Sequence, residues 1–124
     1  MRDAIKAFKA LSDETRLRIL SILLERECCV CEVMQALDIS QTRASRNLAA
    51  LHDAGFLRLK KEGLWSIYAV DREGMEGYLS DLVTAVAKAL QGNKVVKLDR
   101  ERLKKAERVG PGCAERMRGA KTGK

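Results

Sequence analysis

The hydrophobic period changes twice along this chain, and that restricts the fold more than any other feature. Apolar residues recur at helical spacing up to residue 54, alternate between Phe56 and Val70, and return to helical spacing after residue 74. The first stretch divides into four expected helices. Residues 3–11 place Ile5, Phe8 and Leu11 on one stripe. Ser12 is a good N-cap for a second helix over 13–26, and Asp13 and Glu14 suit its positive first turn. Leu17, Leu20, Ile22, Leu23 and Leu24 span so wide an arc that this helix should be largely buried. A third helix near 30–37 carries Val30, Val33, Met34 and Leu37. After a break at residues 38–40, Ser40 caps a fourth helix over 41–54 with Ala44, Leu48 and Leu51 on its core face, and Gly55 closes it. Residues 56–62 and 64–70 then alternate around Gly63 as a β-hairpin should. Residues 74–91 read as one long helix carrying Met75, Tyr78, Leu79, Leu82, Val86 and Leu90, ended by Gly92 and Asn93.

This order predicts a mainly α fold with a β-hairpin, a winged helix-turn-helix: two helices joined by a tight turn, then a hairpin. In that geometry the second helix of the pair lies in the major groove and the hairpin touches the adjacent backbone. At 124 residues the chain has room for one modest core. The expected organisation is a DNA-binding and dimerisation domain over 1–92 and a basic tail over 93–124. The charge follows that division. Residues 1–92 carry 13 basic and 13 acidic side chains, whereas residues 93–124 carry 11 and 4, so the whole net charge of +7 falls in the tail. A neutral body with a cationic tail suits a polyanionic partner, although the same charge would serve solubility alone. Within the tail, Leu98–Arg108 has a charged, helix-compatible pattern, and residues 110–124, rich in Gly, Lys and Arg, are expected to be disordered. The apolar stripes on helices 3–11 and 74–91 exceed what so small a core needs, which points to a homodimer paired through them and a dyad-symmetric DNA site.

On the fourth helix the side chains not needed for the core are Gln41, Thr42, Arg43, Ser45, Arg46 and Asn47. Gln and Asn bond adenine bidentately, Arg does the same to guanine, and Ser and Thr suit phosphates. On the hairpin, Arg58, Lys60 and Lys61 lead into Gly63, which fits phosphate contacts at a wing.

Cys28, Cys29 and Cys31 crowd into four positions ten residues before that helix, and the fourth cysteine, Cys113, lies in the tail. No apolar run reaches the ~20 residues of a membrane span, and the start of the chain lacks a signal-peptide core. A cytoplasmic location with reduced thiols and no membrane partner is therefore expected. Four cysteines there argue for metal binding or redox sensing over a disulfide framework. Soft sulfur selects thiophilic ions, and a helix N-terminus should favour the thiolate. In a regular helix Cys29 and Cys31 would point to nearly opposite sides, so their joint use requires a loop or a distorted first turn. Cys28 and Cys31, three apart, would share a face.

Residues 10–20 (Ala-Leu-Ser-Asp-Glu-Thr-Arg-Leu-Arg-Ile-Leu) resemble the opening of the ArsR/SmtB metalloregulators. Residues 27–33 (Glu-Cys-Cys-Val-Cys-Glu-Val) are similar to the cysteine box of their arsenic-responsive branch. Residues 40–48 resemble the family's recognition helix, and residues 62–68 its wing. The resemblance covers roughly residues 3–90. It implies a dimeric repressor that holds its operator when metal-free and releases it when As(III) or Sb(III) binds, with no organic cofactor. By position, Cys29 and Cys31 match the two cysteines of the box. Met34 occupies the place of the third ligand in the best-known pattern, and Asn47 replaces the usual histidine of the recognition helix. Either Cys28 or Cys113 would then supply the missing thiolate.

Two other regulators of the same fold remain open, one responsive to Cd, Pb or Zn and one responsive to thiol oxidation. The resemblance implies that other branches hold zinc, nickel or cobalt on the last helix with histidines and carboxylates, whereas 74–91 has Glu76 and Asp81 but no histidine. The sole histidine, His52, sits near the end of the fourth helix, where it reads as a polar helix-end residue. No base accompanies the thiols and no phosphate-cradling glycine loop appears, so an enzyme is not expected.

Overall fold

A computed structural model describes residues 1–108. Its elements run α1 (Arg2–Leu11), α2 (Glu14–Leu23), β1 (Cys28–Cys29), α3 (Val30–Leu37), α4 (Gln41–Asp53), β2 (Arg58–Glu62), β3 (Trp65–Ala69), α5 (Gly77–Ala89) and α6 (Lys94–Lys105). The winged helix-turn-helix expected from the period changes is present, with two additions. A two-residue strand, β1, joins the hairpin to make an antiparallel sheet of order β1-β3-β2. The charged segment after residue 93 forms a full helix, α6, packed on α2 and α3. No helix among the described residues is long and apolar enough to cross a membrane.

Local chemistry sets most boundaries. The N-cap of α2 is Asp13 rather than Ser12: Asp13 Oδ2 accepts the Arg16 N–H at 3.0 Å, while the Ser12 hydroxyl donates back to the Phe8 carbonyl at 2.9 Å. Asp13 wins because a carboxylate also favours the positive helix end. Asp38 adopts a left-handed conformation (φ 56°), and the Ile39 N–H returns to the Met34 carbonyl at 3.2 Å, which forms the tight turn between α3 and α4. Ser40 caps α4 by accepting the Arg43 N–H at 3.2 Å. At the other end Gly55 (φ 95°) and Phe56 return their N–H groups to His52 and Leu51, a Schellman closure. The helix expected over 74–91 starts later, at Gly77, because residues 71–74 close a turn on the Asp71 carbonyl.

The main core runs between the helices and includes Ile19, Leu20, Ile22, Val33, Met34, Leu48, Leu51, Phe56 and Val83. From α1 it takes Ala7 and Ala10, while Ile5 and Phe8, on the stripe expected to exceed the needs of the core, are 45% and 54% exposed. Small residues let α1 approach closely, and its bulky stripe is left facing outward.

α6 is fastened along α3. Asp99, fully buried, accepts from Arg18 and Arg102. The same two guanidiniums donate to the Leu37 and Ala36 carbonyls, so they also satisfy the C-terminal end of α3. The residues that follow α6 meet α3 at Gln35. The Glu107 N–H donates to Gln35 Oε1 at 3.1 Å, and the Gln35 amide donates to the Glu107 carbonyl at 2.8 Å.

Candidate thiol site and nucleic-acid interface

Cys28 and Cys29 are successive residues of β1, so their side chains leave opposite faces of the strand. Cys28 enters the main core. Cys29 joins Cys31, Ile67 and Trp65 in a separate small cluster. The face expected to be shared by Cys28 and Cys31 does not arise, because Cys28 is in a strand and helical spacing does not apply to it. Cys29 and Cys31 do come together, because Cys29 is extended (φ −84°, ψ 171°) at the N-cap of α3 while Cys31 is in its first turn. Among the described residues no three His, Cys, Asp or Glu converge as a metal-binding group. Cys113 lies outside the described residues.

All three described thiols are free and buried. Burial pushes the Cys28 thiol up to about 12, and burial also raises Cys29 despite its place at a helix N-terminus. Contrary to the expectation that the helix end would favour a thiolate, at Cys29 loss of hydration, together with the Glu32 carboxylate, outweighs the backbone N–H groups of Glu32 and Cys31. Both shifts favour the protonated thiol.

A polar shell surrounds the pair. Glu32, three residues after Cys29, accepts the Cys29 N–H at 2.9 Å and meets Arg26 at 2.6 Å and Arg108 at 3.3 Å. The Gln35 amide nitrogen lies 3.2 Å from Cys31 Sγ. Arg108 also reaches Glu62 at 3.1 Å and sits 5.9 Å from the Trp65 ring centroid. Sequence reasoning missed Glu32, Gln35, Trp65 and Arg108. The spacing of Glu32 from an N-cap was a legible signal. Nothing local marks Arg108, which is 76 residues away from Glu32.

On α4, Thr42, Arg43 and Arg46 are exposed, and Gln41, Ser45 and Asn47 are half-buried. The side chains of Gln41, Thr42, Ser45 and Arg46 have no hydrogen bond or ion pair among the described residues. Two others are already engaged. Arg43 donates to the buried Thr15 hydroxyl at 2.8 Å. The Asn47 amide donates to the Arg43 carbonyl at 2.8 Å, and its oxygen accepts from Arg16 at 3.3 Å. Arg16, also missed, donates to the Ala10 and Lys9 carbonyls as well, so one guanidinium ties α1, α2 and α4 together. On the wing, Lys61 is exposed and bonded to Ser66, Arg58 lies 4.0 Å from Asp71, and Lys60 is paired with Glu27 at 3.1 Å. Gly63 turns the tip at φ 62°, leaving Leu64 77% exposed. His52 is exposed and edge-on to Tyr68.

A helix-turn-helix with a hairpin wing beside a buried thiol pair defines the class of winged helix-turn-helix regulatory proteins. Residues 13–58 match the family described as "Bacterial regulatory protein, arsR family". An arsenical resistance operon repressor of Bacillus subtilis is 34% identical over 82 residues, covering 65% of this chain and 78% of that protein. The chain belongs to the arsR family of regulatory proteins. It is also similar to the arsenic resistance transcriptional regulator ArsR1 of Pseudomonas putida (46% over 67 residues, 53% of this chain and 52% of that one). A cadmium resistance transcriptional regulatory protein CadC homolog of Staphylococcus aureus is 43% identical over 72 residues (57% of this chain and 60% of that one). The chain thus spans about half to three fifths of the length of these last two relatives. Among solved structures, the homodimeric winged helix-turn-helix DNA-binding domain Mb0332 of Mycobacterium bovis superposes with a TM-score of 0.62 at 26% identity, over 75% of this chain and 82% of that one.

Proposed function

We propose that this protein is a homodimeric transcriptional repressor that holds a dyad-symmetric operator when free of ligand. It releases the DNA when trivalent arsenic or antimony is captured by Cys29, Cys31 and Cys113. The observation that carries this reading is the double attachment of Cys29. It pairs with Ile67 of the wing strand β3, and it is the N-cap of α3, the first helix of the reading pair. Any displacement of Cys29 therefore pulls on the wing and on the helix-turn-helix at once.

The donor set fits a thiophilic ion. Cys29 and Cys31 form a soft, apolar pair, and the carboxylate beside them, Glu32, is committed to Arg26, Arg108 and the Cys29 N–H. Trivalent arsenic supplies a soft centre at which three thiols replace three hydroxyls, each thiol proton leaving with a hydroxyl as water. Because that exchange needs no net proton loss, neutral buried thiols do not oppose it. Cys28 is set aside as third donor because it faces the main core. Cys113 follows Arg108 by five residues, and Arg108 is held at the cluster by Glu32 and Trp65.

Gln41, Thr42, Arg43, Ser45, Arg46 and Asn47 present the reading surface, with Arg58, Lys60 and Lys61 on the wing. Dimerisation uses the outward stripe of α1, with Ile5 and Phe8, and the groove formed by Leu11, Leu17, Leu82, Ala85 and Ala89. The homodimeric state of the Mycobacterium bovis domain supports this.

The test is fluorescence anisotropy of the full chain on a labelled duplex of its own upstream sequence, with and without arsenite. Wild type and Cys28→Ala should bind and release. Cys29→Ser, Cys31→Ser and Cys113→Ser should bind and ignore arsenite. A protein with no affinity for that duplex ends the proposal, and a responsive Cys113→Ser removes Cys113 from the ligand set. The cadmium-resistance relative favours a second reading, in which Cd(II) is the inducer. Release by Cd(II) but not by arsenite would select it.

A further inference from the structure

We propose that Glu107 and Arg108, just after α6, form a latch that couples the thiol pair to the wing, with Arg108 as its coupling residue. The inference rests on the function proposed above and adds the route by which capture at Cys31 reaches the DNA-binding surface.

Besides the backbone pairing of Cys29 with Ile67, two side-chain connections run from the thiols to the wing tip among the described residues, and both pass through Arg108. In the first, the Gln35 amide nitrogen contacts Cys31 Sγ at 3.2 Å and the Glu107 carbonyl at 2.8 Å, and the Glu107 N–H returns to Gln35 Oε1 at 3.1 Å. The next residue, Arg108, donates to Glu62 at 3.1 Å, and Glu62 is the last residue of β2, at the tip of the wing. In the second, the Cys29 N–H is held by Glu32, whose Oε1 also accepts Arg108 Nε at 3.3 Å. The guanidinium lies beside the Trp65 ring, and Trp65 is the register partner of Glu62. One side chain thus touches the first turn of α3, the floor of the thiol cluster and the wing tip.

The Gln35 amide has two hydrogens for three acceptors, since it also approaches the Cys31 carbonyl at 3.1 Å. Its position therefore depends on where Cys31 Sγ lies. When Cys31 turns toward a centre shared with Cys29, Gln35 must shift, and the reciprocal pair with Glu107 shifts with it. Arg108 then loses its alignment on Glu62, and the wing tip is freed from α3. Glu32 is 4% exposed at its side chain and cannot follow, whereas Glu62 is 45% exposed and can turn to water. The contact with the wing is the one that gives way.

The experiment measures operator affinity with and without arsenite for wild type, Arg108→Gln and Arg108→Lys, all as full chains. Arsenic retained per protomer after gel filtration is measured on the same samples. A brace that merely steadies the wing would weaken binding equally in both states and leave the ratio of the two affinities unchanged. The latch requires that ratio to fall toward 1 in Arg108→Gln, by at least ~5-fold against wild type, the lower end of ordinary allosteric coupling. Arsenic retention should be unchanged. Arg108→Lys keeps the charge but not the fork, and should give an intermediate ratio. A wild-type ratio in Arg108→Gln overturns the latch alone. A wild type that binds its DNA but ignores arsenite overturns the proposed function and the latch together.

Discussion

Arg18 in α2 grips Asp99 in α6 through two N–H···O bonds of 2.8 Å, and the carboxylate it holds is completely buried. This pair, with Arg102 at 2.7 Å, makes α6 part of the folded body although it lies beyond the wing and α5. Removing the carboxylate leaves two cations facing each other at the end of α3. Arg18 is 18% exposed and Arg102 41%, so partial hydration tempers the cost. Asp99→Ala should lower the unfolding free energy by ~2–4 kcal/mol. Urea denaturation measures this, and a loss below ~1 kcal/mol would show that α6 is held by its apolar face alone.

Cys28 should be chemically silent in the folded protein. With its thiol pushed up to about 12, only about one molecule in ten thousand carries the thiolate at pH 8. Iodoacetamide followed by mass spectrometry of the native chain should leave Cys28 unmodified over the time in which urea-unfolded protein labels fully. Equal labelling rates in the two states would mean that the main core does not enclose it.

Glu32 sets an acid limit to stability. Burial alone would raise its carboxyl, but the Cys29 N–H, Arg26 and Arg108 outweigh burial, and the net direction is down. A folded value below the unfolded one means the stabilisation is complete above the ordinary glutamate range of ~4.3 and is lost as the pH falls through the folded value. Between pH 7 and 3 the melting temperature of wild type should therefore drop more steeply below about pH 4.3 than that of Glu32→Gln. Parallel curves would assign the acid transition to other carboxylates.

Gln41 and Asn47 lie on the same helix and should behave differently. Gln41 has no internal side-chain partner among the described residues, whereas both polar groups of Asn47 are used within the protein. Gln41→Ala should relax discrimination at one base pair by ~1–3 kcal/mol without changing stability. Asn47→Ala should cost ~1 kcal/mol of stability and weaken all operator variants alike. Binding curves on single-base operator variants distinguish the two, and a position-specific loss in Asn47→Ala would mean that Asn47 leaves Arg16 to read a base.

The helices were legible because their signals are local. Leu48 and Leu51 share a face at fixed spacing, Ser40 caps α4 from one residue before it, and Gly55 closes it from two residues beyond. The hairpin was legible from alternation on both sides of Gly63. Boundaries moved where two local candidates competed, as Ser12 and Asp13 did. The candidate reading surface was legible as a set of polar residues, but not which of them the protein uses internally. Arg16 reaches Asn47 from another helix, and no spacing rule describes that contact.

The thiol cluster shows where such reading stops. The sequence alone determined that three cysteines crowd the start of α3 and that this helix precedes a reading helix, because both follow from order along the chain. Only the tertiary structure decided that residues 28 and 29 pair with β3. That pairing sends Cys28 to the main core and Cys29 to Cys31 and Trp65. It also decided that α6 returns to α3 and delivers Arg108 to Glu32 and Glu62. The physical reason is that strand faces and long-range ion pairs exist only once distant segments have met, whereas helical periodicity and caps are set by neighbours three or four residues apart.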